Sequence, residues 1–84
     1  MSRSVLTEQQ VKIGEQQCKI FAVRFREART KVGLTQRDVT KKTGITQSIL
    51  SKVENGTQNL TIHRASVLAD VVGVPLYQLF MPLP

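Results

Sequence analysis

Threonines and glycines divide this chain of 84 residues into short segments of helical length. The threonines that can cap a first helical turn are Thr35, Thr46 and Thr61. The residues that can end a helix are Gly44, Asn55-Gly56 and Gly73. Because proline occurs only at positions 75, 82 and 84, it interrupts no helix before residue 75. The pattern predicts an all-α fold with helices over 36–43, from 47 to about 54 and over 62–72, and a short last helix from residue 75 to about 81.

An apolar stripe predicts the first helix. Its members recur at alternating spacings of three and four residues: Val11, Gly14, Cys18, Phe21, Phe25, Ala28 and Val32. Thr7 and Gln10 resemble a capping box, so one helix over about 7–32 is one interpretation. Gly14 costs about 1 kcal/mol relative to alanine inside a helix. We therefore favour a helix over 16–32, which divides the chain into an N-terminal arm (1–14, helical or loosely ordered), a domain (15–81) and a short tail (82–84).

Composition excludes several classes of protein. One cysteine and one histidine are too few for an internal disulfide or for a zinc site built from three or four such ligands. No apolar run approaches the roughly 20 residues of a membrane helix, and the first ten residues lack the apolar stretch of a signal peptide. We therefore expect a cytoplasmic, nucleoid-associated protein without membrane contact. No nucleophile, base and orienting residue form a set, so we expect neither an enzyme nor a cofactor.

The second and third predicted helices form a helix-turn-helix, because they are short and are joined through Gly44-Ile45-Thr46. At about 100° per residue, Ile49, Leu50 and Val53 share one face of the third helix. The opposite face is polar and mostly uncharged, and it carries Gln47, Ser48, Ser51 and Asn55, with Lys52 at its edge. Such side chains match the hydrogen-bonding groups of base edges in the major groove of DNA.

Charge supports a nucleic-acid partner. The chain has 12 Lys and Arg against 6 Asp and Glu, a net charge of +6. Residues 19–52 alone hold nine Lys or Arg and two acidic residues. Backbone N–H groups at the starts of the second and fourth helices can bind phosphates beside this basic region.

The stretch from Phe21 to Phe80 resembles the phage-repressor/Cro, or XRE-type, helix-turn-helix superfamily. The matching residues are Arg24-Phe25-Arg26-x-x-Arg29, Gly33-Leu34-Thr35-Gln36, Gly44-Ile45-Thr46-Gln47-Ser48, Leu50 to Gly56, Leu68-Ala69 and Gly73-Val74-x-Leu76-x-x-Leu79-Phe80. The resemblance implies a five-helix phage-repressor-like DNA-binding domain. It also implies that the third helix enters the major groove and that dimers bind inverted repeats.

The resemblance also assigns roles residue by residue. Gln36 would bind a phosphate, Gln47 would read adenine, and Ser48 and Ser51 would read neighbouring bases. Lys52 would contact guanine or phosphate, and Thr57 and Asn59 would touch the DNA backbone. Together with Thr35, Arg37, Thr46 and Asn55, these residues form the predicted DNA site. Arg29 and Glu54 match a partly buried structural ion pair of some relatives.

One departure from the family pattern concerns the packing of the helix-turn-helix. Thr40 stands where relatives usually have alanine. We expect its hydroxyl to hydrogen-bond the carbonyl four residues earlier.

A second apolar line on the fourth helix, Val67, Val71 and Val74, predicts a two-fold dimer. The expected interface residues are Val71, Val74, Leu76 and Tyr77, and the arm would cap or extend this surface. We expect a sequence-specific, dimeric transcriptional regulator, either a repressor or a restriction–modification controller. The alternative is the antitoxin of a toxin–antitoxin pair, and the expected protein partners are a toxin or a polymerase.

Overall fold

Four α-helices and one short 3₁₀ helix make up the computed structural model, which describes residues 7–84. Their bounds are α1 (Glu8–Lys31), α2 (Gln36–Thr43), α3 (Gln47–Glu54), α4 (Ile62–Val72) and the 3₁₀ helix (Leu76–Phe80). The all-α prediction is confirmed, and the three middle helices have the predicted bounds. The last element is a 3₁₀ helix and not a fifth α-helix. Its five residues lie between Pro75 and Met81-Pro82, too short a span for a regular α-helix.

Helix α1 begins at Glu8 and runs without a break through Gly14. The N–H of Gln10 donates to Thr7 Oγ1 at 3.1 Å, and the N–H of Thr7 donates to Gln10 Oε1 at 2.8 Å, which completes the capping box. The favoured start near residue 16 is therefore wrong, and the single-helix interpretation is correct. Helix propagation adds a hydrogen bond for each residue, which offsets the cost of one glycine. Residues 1–6 of the predicted arm lie outside the described residues.

The core lies where α1 packs against α3, α4 and the 3₁₀ helix. Phe21 and Phe25 of α1 are fully buried, with their ring centroids 6.0 Å apart and their planes almost parallel. Around them lie buried side chains from every other element: Val39, Leu50, Val53, Ala65, Leu68, Ala69, Val72 and Leu79. The predicted stripe on α1 is longer than this core, because Val11 and Val32 at its ends are exposed.

The turn between α2 and α3 holds the helix-turn-helix together. Thr35 caps α2 by accepting the N–H of Asp38 at 3.0 Å, and Thr46 caps α3 by accepting the N–H of Ile49 at 3.3 Å. Gly44 ends α2 with φ of +78°, a left-handed conformation that a residue with a Cβ adopts only with strain. This glycine therefore lets the chain reverse within three residues.

The prediction for Thr40 is wrong. Its Oγ1 is buried and has no hydrogen-bond partner among residues 7–84. Thr43 makes the predicted type of bond instead, because its hydroxyl donates to the Val39 carbonyl at 2.8 Å and accepts the N–H of Ile45 at 3.1 Å. At Thr43 the hydroxyl also satisfies a backbone N–H beyond the end of α2. At Thr40, a hydrogen bond from the hydroxyl to the carbonyl four residues earlier would only share an oxygen that already accepts a hydrogen bond within the helix.

Candidate nucleic-acid interface

The outward face of α3 is polar and accessible. Gln47, Ser48, Lys52 and Asn55 are exposed and Ser51 is half-buried. On the opposite side of the helix, Leu50, Val53 and Glu54 are buried in the domain. The ridge that the sequence predicts to read bases thus lies on the surface of the chain, and the capping residue Thr46 at its start is also exposed.

The start of α2 borders one end of this ridge. Thr35 and Arg37 are exposed there, and Gln36 is half-buried. The Thr35 N–H donates to the Asp38 carboxylate at 2.9 Å, and this bond, aided by the Thr35 hydroxyl, lowers the pKa of Asp38 from its ordinary value. The capping box uses the N–H groups of Thr35 and Asp38. The N–H groups of Gln36 and Arg37 have no acceptor within residues 7–84, so they remain open to a ligand.

The loop after α3 borders the other end of the ridge. Thr57 and Asn59 are exposed, and the N–H and hydroxyl of Thr57 both donate to the Lys52 carbonyl, at 3.0 and 3.3 Å. Gly56 has φ of +75° and lies against α1, where a Cβ would come within 3.1 Å of Lys19 Cγ and 3.2 Å of Lys19 Cα. The loop is thus tied to α3 and rests directly on α1.

A buried carboxylate joins α1, α2 and α3. Glu54 is 3% exposed, and its two oxygens accept Arg29 Nε at 2.7 Å and Arg29 Nη2 at 3.0 Å. Arg29 Nη1 also donates to the Leu34 carbonyl at 2.9 Å, between α1 and α2. The structure therefore brings the expected pair, Arg29 and Glu54, together.

Two further residues join this pair, and neither was predicted there from the sequence. Gln36 Nε2 donates to Glu54 Oε1 at 3.1 Å. Arg26 Nη2 donates to the Glu54 backbone carbonyl at 2.7 Å and so caps the end of α3. The spacing of three residues between Arg26 and Arg29 places them on one side of α1 and was the available signal for Arg26. For Gln36 the sequence contained no such signal, because only the fold brings the start of α2 to the end of α3.

The expected dimer residues differ in exposure. Tyr77 is 65% exposed, whereas Val71, Val74 and Leu76 are half-buried and pack in part against the core of their own chain. Tyr77 is therefore the most exposed residue of this group.

Neither a metal-binding cluster nor a membrane-spanning helix is found in the part of the chain that the structure describes. Within residues 7–84, no three His, Cys, Asp or Glu side chains are grouped so that they could hold a metal ion. Over the same range no helix combines the length and apolarity needed to cross a membrane.

Comparison with known proteins agrees with this geometry. The helix-turn-helix family matches residues 25–79. An uncharacterized HTH-type transcriptional regulator, y4dJ of Sinorhizobium fredii (strain NBRC 101917 / NGR234), is 34% identical over 64 residues, which cover 76% of this chain and 83% of that protein.

Solved structures share the fold. The restriction-modification controller protein C.AhdI from Aeromonas hydrophila is 30% identical, with a TM-score of 0.70 over 75% of this chain and 96% of its own. The DNA-binding domain of BldD is 28% identical, with a TM-score of 0.70 over 79% and 96%. A hypothetical transcription factor, NHTF from Neisseria, is 24% identical and shares the fold over 98% of this chain and 88% of its own, with a TM-score of 0.75. The resemblance drawn from the sequence is confirmed, and the chain belongs to the XRE/Cro-type helix-turn-helix family of DNA-binding transcriptional regulators, which are not enzymes.

Proposed function

We propose that this regulator binds operator DNA as a homodimer, with α3 of each subunit in the major groove of one half of an inverted repeat. The observation that carries the proposal is the exposed polar ridge of α3, bordered by the start of α2 and by the loop after α3. A helix of this kind fits the major groove, and its two borders lie where the sugar–phosphate backbones would run.

In the proposed complex, the first turns of α3 would recognise the base sequence of the DNA. Gln47 is exposed directly after the cap Thr46, and its amide can bond both N6 and N7 of adenine. Ser48 and Ser51 follow on the same face and can donate to or accept from neighbouring bases. Lys52 and Asn55 lie further along, where Lys52 can reach guanine or a phosphate.

Phosphate contacts would supply most of the affinity. Thr35, Gln36 and Arg37 at the start of α2 offer side chains together with the open N–H groups of Gln36 and Arg37. Thr57 and Asn59 would contact the backbone from the loop. Because the segment 19–52 carries nine Lys or Arg against two acids, binding should weaken as salt rises.

The dimer would form through the end of α4 and the 3₁₀ helix. Val71, Val74 and Leu76 leave part of their surface uncovered, and Tyr77 projects from the same region. Two-fold symmetry would set the recognition helices roughly 34 Å apart, one turn of DNA. The likeness to the controller C.AhdI, which this chain matches over nearly all of that protein's length, favours a restriction–modification controller over the other settings.

Footprinting on the DNA upstream of the protein's own gene tests the proposal. We expect two protected half-sites, one helical turn apart. Gln47→Ala should lose about 1–3 kcal/mol of binding free energy at one base pair and relax the preference there. Gln16→Ala, the same change on the exposed surface of α1, is the control and should bind normally. If Gln47→Ala weakens binding to all sequences equally, Gln47 does not read a base.

The dimer has its own test. Val71→Glu should give monomers in sedimentation, because it places a charge in an apolar contact. Ser66→Glu adds the same charge at an exposed position of α4 and should leave the dimer intact. A dimer that survives Val71→Glu would move the interface to another surface.

A further inference from the structure

We propose that Glu54 is a positioning residue for DNA binding, which holds the Gln36 amide so that an N–H of that amide faces the DNA backbone. The inference rests on the proposed function, because it concerns the phosphate contact of Gln36. It goes beyond the role of Glu54 in the ion pair with Arg29.

Geometry supports a fixed orientation of the Gln36 side chain. Gln36 Nε2 lies 3.1 Å from Glu54 Oε1, and the Glu54 carboxylate is itself held by Arg29 at 2.7 and 3.0 Å. A carboxylate only accepts hydrogen bonds, so the amide nitrogen and not the amide oxygen of Gln36 must face it. The amide oxygen, which would repel a phosphate, therefore cannot take the place of the nitrogen.

The amide nitrogen still has a hydrogen to offer. It carries two hydrogens, and the bond to Glu54 uses one of them. A hydrogen bond to an ionised acceptor is stronger than a neutral one, so the side chain is ordered before DNA arrives. The rotamer freedom of Gln36 is then lost during folding, and the loss does not weaken binding.

Two arginines offset the negative charge of Glu54 beside the proposed phosphate contact. An unpaired negative charge beside the phosphate contact would repel DNA. Arg29 forms a two-point pair with Glu54, and Arg26 Nε lies 3.6 Å from Glu54 Oε1. Two positive charges around one negative charge leave this cluster net positive, so Glu54 can orient Gln36 without repelling the backbone.

A double-mutant cycle tests the inference. Gln36→Ala is made in the natural chain and in the background Arg29→Met/Glu54→Met, which replaces the buried pair by apolar side chains of similar size and which we expect to fold. Affinity for the footprinted operator is measured at one salt concentration by fluorescence anisotropy. We expect Gln36→Ala to weaken binding about tenfold in the natural chain and less than about twofold in the Met/Met background.

Arg37→Ala is the matched control in both backgrounds. Arg37 is the next residue of α2 and is exposed, and it makes no hydrogen bond to Glu54. Its loss should weaken binding by the same factor in each background. If Gln36→Ala weakens binding equally in both backgrounds, or has no effect in the natural chain, Glu54 does not position Gln36. A natural chain that protects no DNA in the footprint would instead defeat the proposed function itself.

A second measurement covers the case in which the Met/Met chain does not fold. In the natural chain without DNA, the side-chain amide hydrogens of Gln36 should exchange with solvent about tenfold more slowly than those of the exposed Gln16, because one of them is bonded to Glu54. Equal exchange at the two glutamines would show that Gln36 is not held, and it would overturn the inference.

Discussion

The projecting half of α1, residues 8–17, and the α2–α3 pair are both helical, but they are stabilised differently. Each of α2 and α3 has eight residues, fewer than the roughly 12–15 that an isolated helix needs. They are held by buried Val39, Leu50 and Val53 and by the Glu54 cluster. Residues 8–17 are all exposed and depend on a capping box and on continuity with the buried half of α1. Burial therefore stabilises the short helices, whereas a long helix extends beyond its core.

The two regions should differ most in the loss of unfolding free energy when a glutamate is replaced by alanine. Glu54→Ala should lower the free energy of unfolding by about 3–5 kcal/mol, because it leaves the guanidinium of Arg29 buried without its partner. Glu15→Ala, on the exposed projecting half, should change it by less than about 0.5 kcal/mol. Urea unfolding at one protein concentration measures both. Equal losses would mean that the projecting half is covered in solution.

Two threonines of α2 should respond with opposite signs. Thr40→Val removes a buried hydroxyl without a partner among the described residues and keeps the side-chain shape, so it should stabilise the protein by about 1 kcal/mol. Thr43→Val removes a hydroxyl with two partners and should destabilise it by about 1–3 kcal/mol. Thermal unfolding of both variants measures the sign of each change in stability. Destabilisation by Thr40→Val would show that its hydroxyl is satisfied in solution.

The two capping boxes should differ in how much of the protein they stabilise. Thr35→Ala should lower the global free energy of unfolding by about 1 kcal/mol, because α2 cannot loosen without disturbing the core. Thr7→Ala removes a similar cap but should only speed amide hydrogen exchange in residues 8–17, with the urea midpoint unchanged. A shifted midpoint for Thr7→Ala would mean that the projecting half unfolds together with the core.

The smallest effect concerns Gly14. A Cβ at this position meets nothing within 4 Å, so Gly14→Ala should slow hydrogen exchange of the projecting half by a factor that corresponds to about 0.5–1 kcal/mol. The global midpoint should stay the same. Weaker dimerisation or DNA binding by this variant would reveal a partner packed closely against Gly14.

Cap chemistry explains why the starts of three helices could be predicted to the residue. Thr35, Thr46 and Thr61 accept N–H groups three residues ahead, and this interaction depends only on neighbours in the sequence. Thr7 gives the same signal for α1, but the choice between one helix and a break depends on a balance of about 1 kcal/mol between Gly14 and helix propagation.

The geometry of the candidate site was predictable to a similar degree. Periodicity alone separates the two faces of α3. The pair Arg29–Glu54 followed only from the family resemblance. The bonds of Gln36 and Arg26 to Glu54 depend on how three helices pack and on the torsions of long side chains, which no local pattern specifies.

The absence of a side chain at Gly56 has a consequence for the shape of the surface proposed to face DNA. The loop bearing Thr57 and Asn59 rests against the backbone of α1 at Lys19, so α1 limits how far the loop can move in that direction. Any larger residue at position 56 would push the loop away from α1 and change the position of the loop relative to α3. If α3 enters a groove as proposed, its depth there would be limited by Gly56, a residue outside the predicted DNA site.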